Sequence, residues 1–194
     1  MKHRKFARLD LCRWKYGKAR CCCPALIAGG WKMEITIAKM SPRDHDEIVS
    51  AFKEGVEAGD LVLDTDDPGT QNLATGMNLV ARAKDKIVGW ATVEPSVDKH
   101  RPGVATIGVF VRPEYRRNGV GRSLLDAAAD AAAESGISTL VSRIAPKNVP
   151  ALFLHKKCGF KAFGMLRKAG VANGQWQDAV LLQRTVRSPV AAVR

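Results

Sequence analysis

The residues best placed to do chemistry run from Val109 to Arg122: Val109-Phe110-Val111-Arg112-Pro113-Glu114-Tyr115-Arg116-Arg117-Asn118-Gly119-Val120-Gly121-Arg122. An apolar strand passes into a basic loop with two glycines, and the loop opens a helix. Glycine lets the backbone approach a ligand closely, and the first N–H groups of a helix have no partner inside it. With the positive end of the helix dipole these groups make an anion site, to which Arg116, Arg117 and Arg122 add charge suited to phosphate. Two other phosphate loops fail on residue type. A P-loop requires Gly-Lys-Ser/Thr, and Gly121 is followed by Arg122-Ser123. A dinucleotide fingerprint requires glycine or alanine three residues after Gly121, where Leu124 stands. Taken alone, the glycine pair also reads as a structural turn ahead of a helix.

A second candidate is His155, one turn after Leu152 on a short helix that Asn148 caps. Taken alone, a helix histidine reads as a structural residue, and Cys158 before Gly159-Phe160 reads as core. The other four cysteines, Cys12 and Cys21 to Cys23, lie in the first 32 residues without zinc-site spacing or a histidine pair, so no metal is expected. A lone body cysteine builds no disulfide framework, which favours a reducing, cytoplasmic compartment.

These groups must be positioned by the elements around them. Glu34–Ala38 alternates as a short strand, and Ser41-Pro42-Arg43-Asp44 reads as a helix start. Ile48, Val49, Phe52 and Val56 then form one helical face, ended by Gly59. Leu61–Leu63 reads as a short strand before the turn-rich Asp64–Thr70. Leu79–Ala83 and Ile87–Val93 form a hairpin through Lys84-Asp85-Lys86, and Val104–Val111 is apolar enough for a central strand. The helix after the basic loop carries Leu124, Leu125, Ala128 and Ala132 on one face and closes at Gly136. Thr139–Ile144 is a further strand, the Asn148 helix stops at Gly159, and strands at about 160–167 and 178–186 flank a Gly170–Trp176 turn. The order predicts a mixed α/β sheet.

Composition bounds the rest. At 194 residues, 46% hydrophobic and 26% charged, the chain suits one globular domain, and no apolar stretch approaches the roughly 20 residues of a membrane span. The net charge of +12 is uneven: residues 1–32 hold nine basic groups against Asp10 alone, and the remainder holds 22 basic and 18 acidic residues. A basic extension on a nearly balanced body argues against a nucleic-acid footprint. Met33 directly precedes the first strand, so 1–32 reads as a disordered extension or an upstream start, with a transit peptide as the alternative. The expected domain is 33–187, followed by a tail at 188–194.

Arg116-x-x-Gly119-x-Gly121 after an apolar strand resembles the acyl-CoA signature of the GNAT superfamily of N-acetyltransferases. Asn148, Leu154-His155-Lys156-Lys157-Cys158-Gly159-Phe160 and Trp176-Gln177-Asp178 are similar to its phosphinothricin and methionine sulfoximine acetyltransferase branch. Phe52-x-x-Gly55-Val56 and Asp64-Thr65 fit that branch more loosely. The resemblance implies a central, splayed, mostly antiparallel sheet flanked by helices, with acetyl-CoA as co-substrate. It implies that the backbone of Val109, Phe110 and Val111 pairs with the pantetheine arm and polarises the thioester carbonyl. Arg116, Arg117, Asn118, Gly119, Val120, Gly121 and Arg122 would bind the pyrophosphate, and Asn148 the pantetheine. His155 would stand near the thiol as proton donor to the thiolate, or as base through water.

The departures lie on the acceptor side. Thr106 occupies the position where the branch usually has a glutamate; it cannot be a general base at neutral pH, but its hydroxyl could orient water. The branch's Tyr-Arg pair falls on Arg101-Pro102, and its aromatic-Lys pair on Val171-Ala172. The expected activity is acetyl transfer to the primary amine of a small amino-acid-like molecule by direct attack on the thioester. Acetylation of protein amines and a non-catalytic acyl-CoA-binding module remain open as alternatives. No nucleic acid or membrane partner is expected, and a homodimer is left open.

Overall fold

The computed structural model describes residues 18–19, 34–57, 77–96, 103–172 and 174–186. In chain order these form β1 (Lys18–Ala19), β2 (Ile35–Lys39), a 3-10 turn (Pro42–Asp44) and α1 (His45–Glu57). Then come β3 (Met77–Ala83), β4 (Lys86–Pro95), β5 (Val104–Val111) and a 3-10 turn (Pro113–Tyr115). The chain continues through α2 (Val120–Glu134), β6 (Thr139–Ile144), α3 (Val149–Lys157), β7 (Lys161–Ala172) and β8 (Gln175–Thr185). One sheet runs in the order β1-β2-β3-β4-β5-β6-β8-β7. Its neighbours pair antiparallel except β5 and β6, which are parallel. This is the expected mixed α/β fold.

Local chemistry accounts for several boundaries. The Ser41 N–H donates to Asp44 Oδ2 at 2.8 Å, closing the turn that leads into α1. Asp44 is also bonded to Arg82 of β3, which ties the helix start to the sheet. The expected hairpin turns at Lys84, whose φ of 54° places it in the left-handed region. Asn148 Oδ1 accepts the Ala151 N–H at 3.1 Å and so caps α3.

The sheet separates two apolar layers, as strand alternation requires. Leu79, Ala81, Ala91, Ala105 and Ile107 pack with Leu124, Leu125, Ala128 and Ala132 of α2. Ala151, Leu152 and Leu154 of α3 lie against the same layer. Val80, Ile87, Trp90 and Phe110 point the other way and pack with Ile48 and Ala51 of α1.

The closing hairpin is longer than its sequence suggests. β7 and β8 pair through Ala172 and Gln175, with register shifts between Ala162 and Gly164 and between Leu166 and Gly170. These bulges absorb Lys168 at φ 49° without ending the strand. Asp178 holds the second bulge, accepting the Lys168 N–H and the Arg167 side chain, each at 3.0 Å. The expected turn from Gly170 to Trp176 therefore shrinks to the link between Ala172 and Gln175, and Trp176 is an exposed strand residue.

Lys18 and Ala19 pair with Ala38 and Ile37, so a short piece of the N-terminal segment meets the sheet edge. The rest of 1–32, the Leu61–Leu63 strand, the Asp64–Thr70 turns, Gly59 and the tail at 188–194 lie outside the described residues. Among the described residues no helix is long and apolar enough to cross a membrane.

Candidate active site

The site begins where two central strands part. Parallel pairing of β5 with β6 covers Val104–Thr139, Ala105–Leu140 and Thr106–Val141, and ends there. β5 nevertheless runs on to Val111 and β6 to Ile144. From Ile107 onward, β5 therefore presents to this opening a strand edge that β6 does not cover, able to bond an extended ligand arm. Val109 and Val111 turn their backbone groups to that edge, while the Phe110 backbone pairs with Trp90 of β4, in step with the Arg112–Val88 and Ser96–Val104 bonds. Phe110 is buried, and Trp90 stands beside it at 6.3 Å between ring centroids.

The basic loop leaves the end of this strand. Arg116 Nε donates to the Val111 carbonyl at 3.0 Å, and its guanidinium lies 6.0 Å from the Phe110 ring centre. Arg116 thus fastens the loop to the strand. Arg117 at φ 62° and Gly119 at φ 79° turn the chain into α2. The Ser123 N–H reaches the Gly119 carbonyl at 3.0 Å, the first bond of the helix. The N–H groups of Val120, Gly121 and Arg122 precede it and have no helical carbonyl behind them. Gly121 also lies close to α3: a Cβ there would stand 2.8 Å from Leu154 Cδ2, so that side chain would have to shift. Arg122 is exposed and 3.5 Å from Asp126, one turn on, while Arg117 is exposed and Asn118 half-buried. Open donors, exposed cations and a close helix start fit a pyrophosphate, and the strand edge fits an amide-bearing arm.

Thr106 stands at the point of parting. On its other side it faces Glu94 of β4, within a column that also pairs Thr92 with Gly108 and Trp90 with Phe110. Directly opposed residues of antiparallel strands share a face. Glu94 and Thr106 therefore lie on the face that carries Trp90 and Phe110 towards α1. Sequence reasoning missed Glu94, although the residue numbers of each opposed pair share one sum. That signal becomes usable only once a single pair is known.

His155 is buried, at 4% exposure. Its Nδ1 lies 2.9 Å from the Ala151 carbonyl, which must accept, so Nδ1 carries the proton. Nε2 then accepts from the Ser142 hydroxyl at 3.2 Å. The ring packs edge-on to Phe160 at 5.0 Å. Burial pushes its pKa below the ordinary imidazole value, and the Ala151 contact opposes this only in part. The ring is therefore neutral, with its N–H already bonded inside the protein. Cys158 is buried, as a core residue should be, and burial raises its thiol pKa. Among the described residues no group of three or more His, Cys, Asp or Glu could hold a metal.

Comparison with known proteins agrees with this fold. The family described as Acetyltransferase (GNAT) family matches residues 45–160. A Pseudomonas aeruginosa protein named L-methionine sulfoximine/L-methionine sulfone acetyltransferase is 31% identical over 81 residues, covering 42% of this chain and 47% of that one. Phosphinothricin N-acetyltransferase of Alcaligenes faecalis is 31% identical over 116 residues, covering 57% of each chain. The matched stretch thus spans about half the length of these relatives. Among solved structures, a putative acetyltransferase of Salmonella typhimurium with its cofactor acetyl-CoA superposes with a TM-score of 0.69 at 24% identity, covering 82% of this chain and 98% of that one. At that identity the likeness speaks to fold alone.

Proposed function

The chain belongs to the GNAT acetyltransferase family, and on that premise we propose that it transfers the acetyl group of acetyl-CoA to the primary amine of a small amino-acid-like molecule. The observation that carries this reading is the end of β5–β6 pairing at Thr106 and Val141, beside a basic helix start. A cofactor arm can enter the parted strands while its pyrophosphate meets the N–H groups of Val120, Gly121 and Arg122. Acetyl-CoA, when bound, supplies an activated acyl carbon.

The protein's part is binding, orientation and charge stabilisation. Arg117 and Arg122 face solvent where they can approach phosphate, and Asn118 lies in the same turn. Arg116 supports the cradle by holding the loop to Val111. Backbone N–H groups of Val109 and Val111, on the side of β5 away from β4, polarise the carbonyl and hold the oxyanion that forms on attack. Asn148 stands at the start of α3, which its Oδ1 caps, on the side where the pantetheine would pass. Thr106 orients water or the incoming amine at the point of parting.

His155 enters the proposal as a positioning residue. A donor to the thiolate would need a free N–H, and its single N–H is directed at Ala151. A thiol pKa near about 8.5, taken from cysteine, makes the thiolate a fair leaving group without an acid.

The names of the relatives support an amino-acid-like acceptor. The test is release of free CoA from acetyl-CoA with a panel holding methionine sulfoximine, phosphinothricin, free amino acids and a lysine peptide. Acetylation of the small amines, with the peptide inert, is expected. Transfer only to the peptide would establish the protein-acetylating alternative, and no transfer despite CoA binding would establish the binding module.

A further inference from the structure

The acceptor side lacks the carboxylate expected at position 106, yet the sheet restores one beside it. Thr106 is opposed to Glu94, and opposed residues of an antiparallel pair have Cβ atoms roughly 4.5–5.5 Å apart. Glu94 is the sole acid in β4 or β5. It is half-buried, so solvent still reaches it. Next along the column, the Thr92 side chain packs closely over Gly108, where an added Cβ would stand 3.1 Å from Thr92 Oγ1. Beyond this pair lie the buried rings of Trp90 and Phe110.

Four further described carboxylates lie in or beside α1 and the basic loop. Asp44 holds Arg82 and Ser41, Glu47 accepts the Ile87 N–H, Glu54 holds Arg112, and Glu114 meets Lys86. None of these belongs to the row that meets the parting of β5 and β6.

We propose that Glu94 receives the ammonium group of the acceptor and takes its proton, the carboxylate having moved across the strand pair from position 106. This inference rests on the transferase reading above. Glu94 accepts one proton from R–NH3+, leaving a neutral amine. The nitrogen bonds to the thioester carbon, and the C–S bond breaks with its electron pair staying on sulfur. The second nitrogen proton passes to the thiolate, and Glu94 returns its own to solvent. One proton is released for each acetyl group moved, and no oxidant or metal is required.

The experiment uses the full chain and compares wild type, Glu94→Gln and the transposed double variant Glu94→Thr/Thr106→Glu. It reads kcat/KM for the best amine of the panel, and acetyl-CoA affinity by calorimetry. Glu94→Gln should lose about 10²-fold or more in kcat/KM, the usual worth of a placed acid or base, with acetyl-CoA affinity unchanged. The transposed variant should recover most of that loss, which a merely structural glutamate would not allow. An active wild type matched by Glu94→Gln overturns the role of Glu94 and leaves the transferase reading standing. A wild type that binds acetyl-CoA but acetylates no amine overturns both. Loss in Glu94→Gln without recovery on transposition overturns the exchange of positions.

Discussion

The Ser142 hydroxyl of β6 lies 3.2 Å from His155 Nε2 of α3, and both side chains are buried. This bond joins the strand that forms one side of the opening to the helix that Asn148 starts. Because the Nδ1 proton is held by Ala151, Nε2 needs the serine. Ser142→Ala would leave that nitrogen buried and unpaired. We expect it to destabilise the fold by about 1–3 kcal/mol in urea denaturation, the usual penalty for such a group. Ser142→Ala as stable as wild type would show that water replaces the hydroxyl.

His155 also makes stability depend on pH. Its pKa is lowered in the fold by burial, so the unfolded chain binds the proton more readily. The contribution is present above the unfolded value of about 6.5 and is lost as pH falls below it towards the folded value. Denaturation midpoints should drop between pH 7.5 and 5.5, with a slope from this group of at most about 1.4 kcal/mol per pH unit. His155→Gln should be less stable at neutral pH and should flatten this slope. An unchanged slope would assign the titration to another group.

The pyrophosphate cradle is testable without touching its glycines, since Gly119 stands at φ 79° and a Cβ on Gly121 would meet Leu154. Acetyl-CoA should raise the melting temperature of wild type, since binding contributes about 2.7 kcal/mol at 100 times the dissociation constant. Arg117→Ala/Arg122→Ala should weaken binding at least tenfold, at roughly 1.4 kcal/mol per factor of ten. The unliganded melting point should change little, because the Arg122–Asp126 pair is exposed on both sides. A double variant with wild-type affinity would leave the helix start without its proposed ligand.

Gly89 links packing to the opening. A Cβ on it would fall 2.7 Å from the Phe110 carbonyl and 3.1 Å from Leu124 Cδ1. The first contact is with backbone and cannot be relieved by a rotamer. Gly89→Ala should therefore destabilise by about 1–3 kcal/mol, as overpacking does, and weaken acetyl-CoA binding by displacing β5. Chemical denaturation and calorimetry on one sample would separate the two effects. Normal values in both would mean that β4 shifts as a unit.

The N-terminal boundary proposed at Met33 predicts that residues 33–194 fold and bind acetyl-CoA. Lys18 and Ala19 cover only Ala38 and Ile37 on the β2 edge, so their removal should leave the core intact. Exposing that edge should raise the tendency to associate, visible by light scattering. An insoluble or CoA-blind product would place part of 1–32 within the domain.

The strand, loop and helix start proposed for the cofactor were legible in the sequence because their geometry is local. Gly119 and Gly121 lie within one turn, the helix face of Leu124, Leu125, Ala128 and Ala132 repeats at helical spacing, and Asn148 caps the residue three positions on. Neighbours in sequence are neighbours in space there. The acceptor side proposed at Glu94 and Thr106 was not legible, because that pair is joined only through strand register. Glu94 and Thr106 are twelve positions apart and meet because β4 and β5 align Trp90 with Phe110. A slip of one residue would have turned Glu94 to the other face.

The same division holds for His155 and the last hairpin. The sequence by itself determined that a histidine sits on a short capped helix and that two strands close the chain. Only the tertiary structure decided that Ser142 and Ala151 bond both ring nitrogens, and that bulges held by Asp178 carry β7 past Lys168. Periodicity and capping are short-range properties of the chain. Burial, tautomer and register are set by what the other elements bring to the same place.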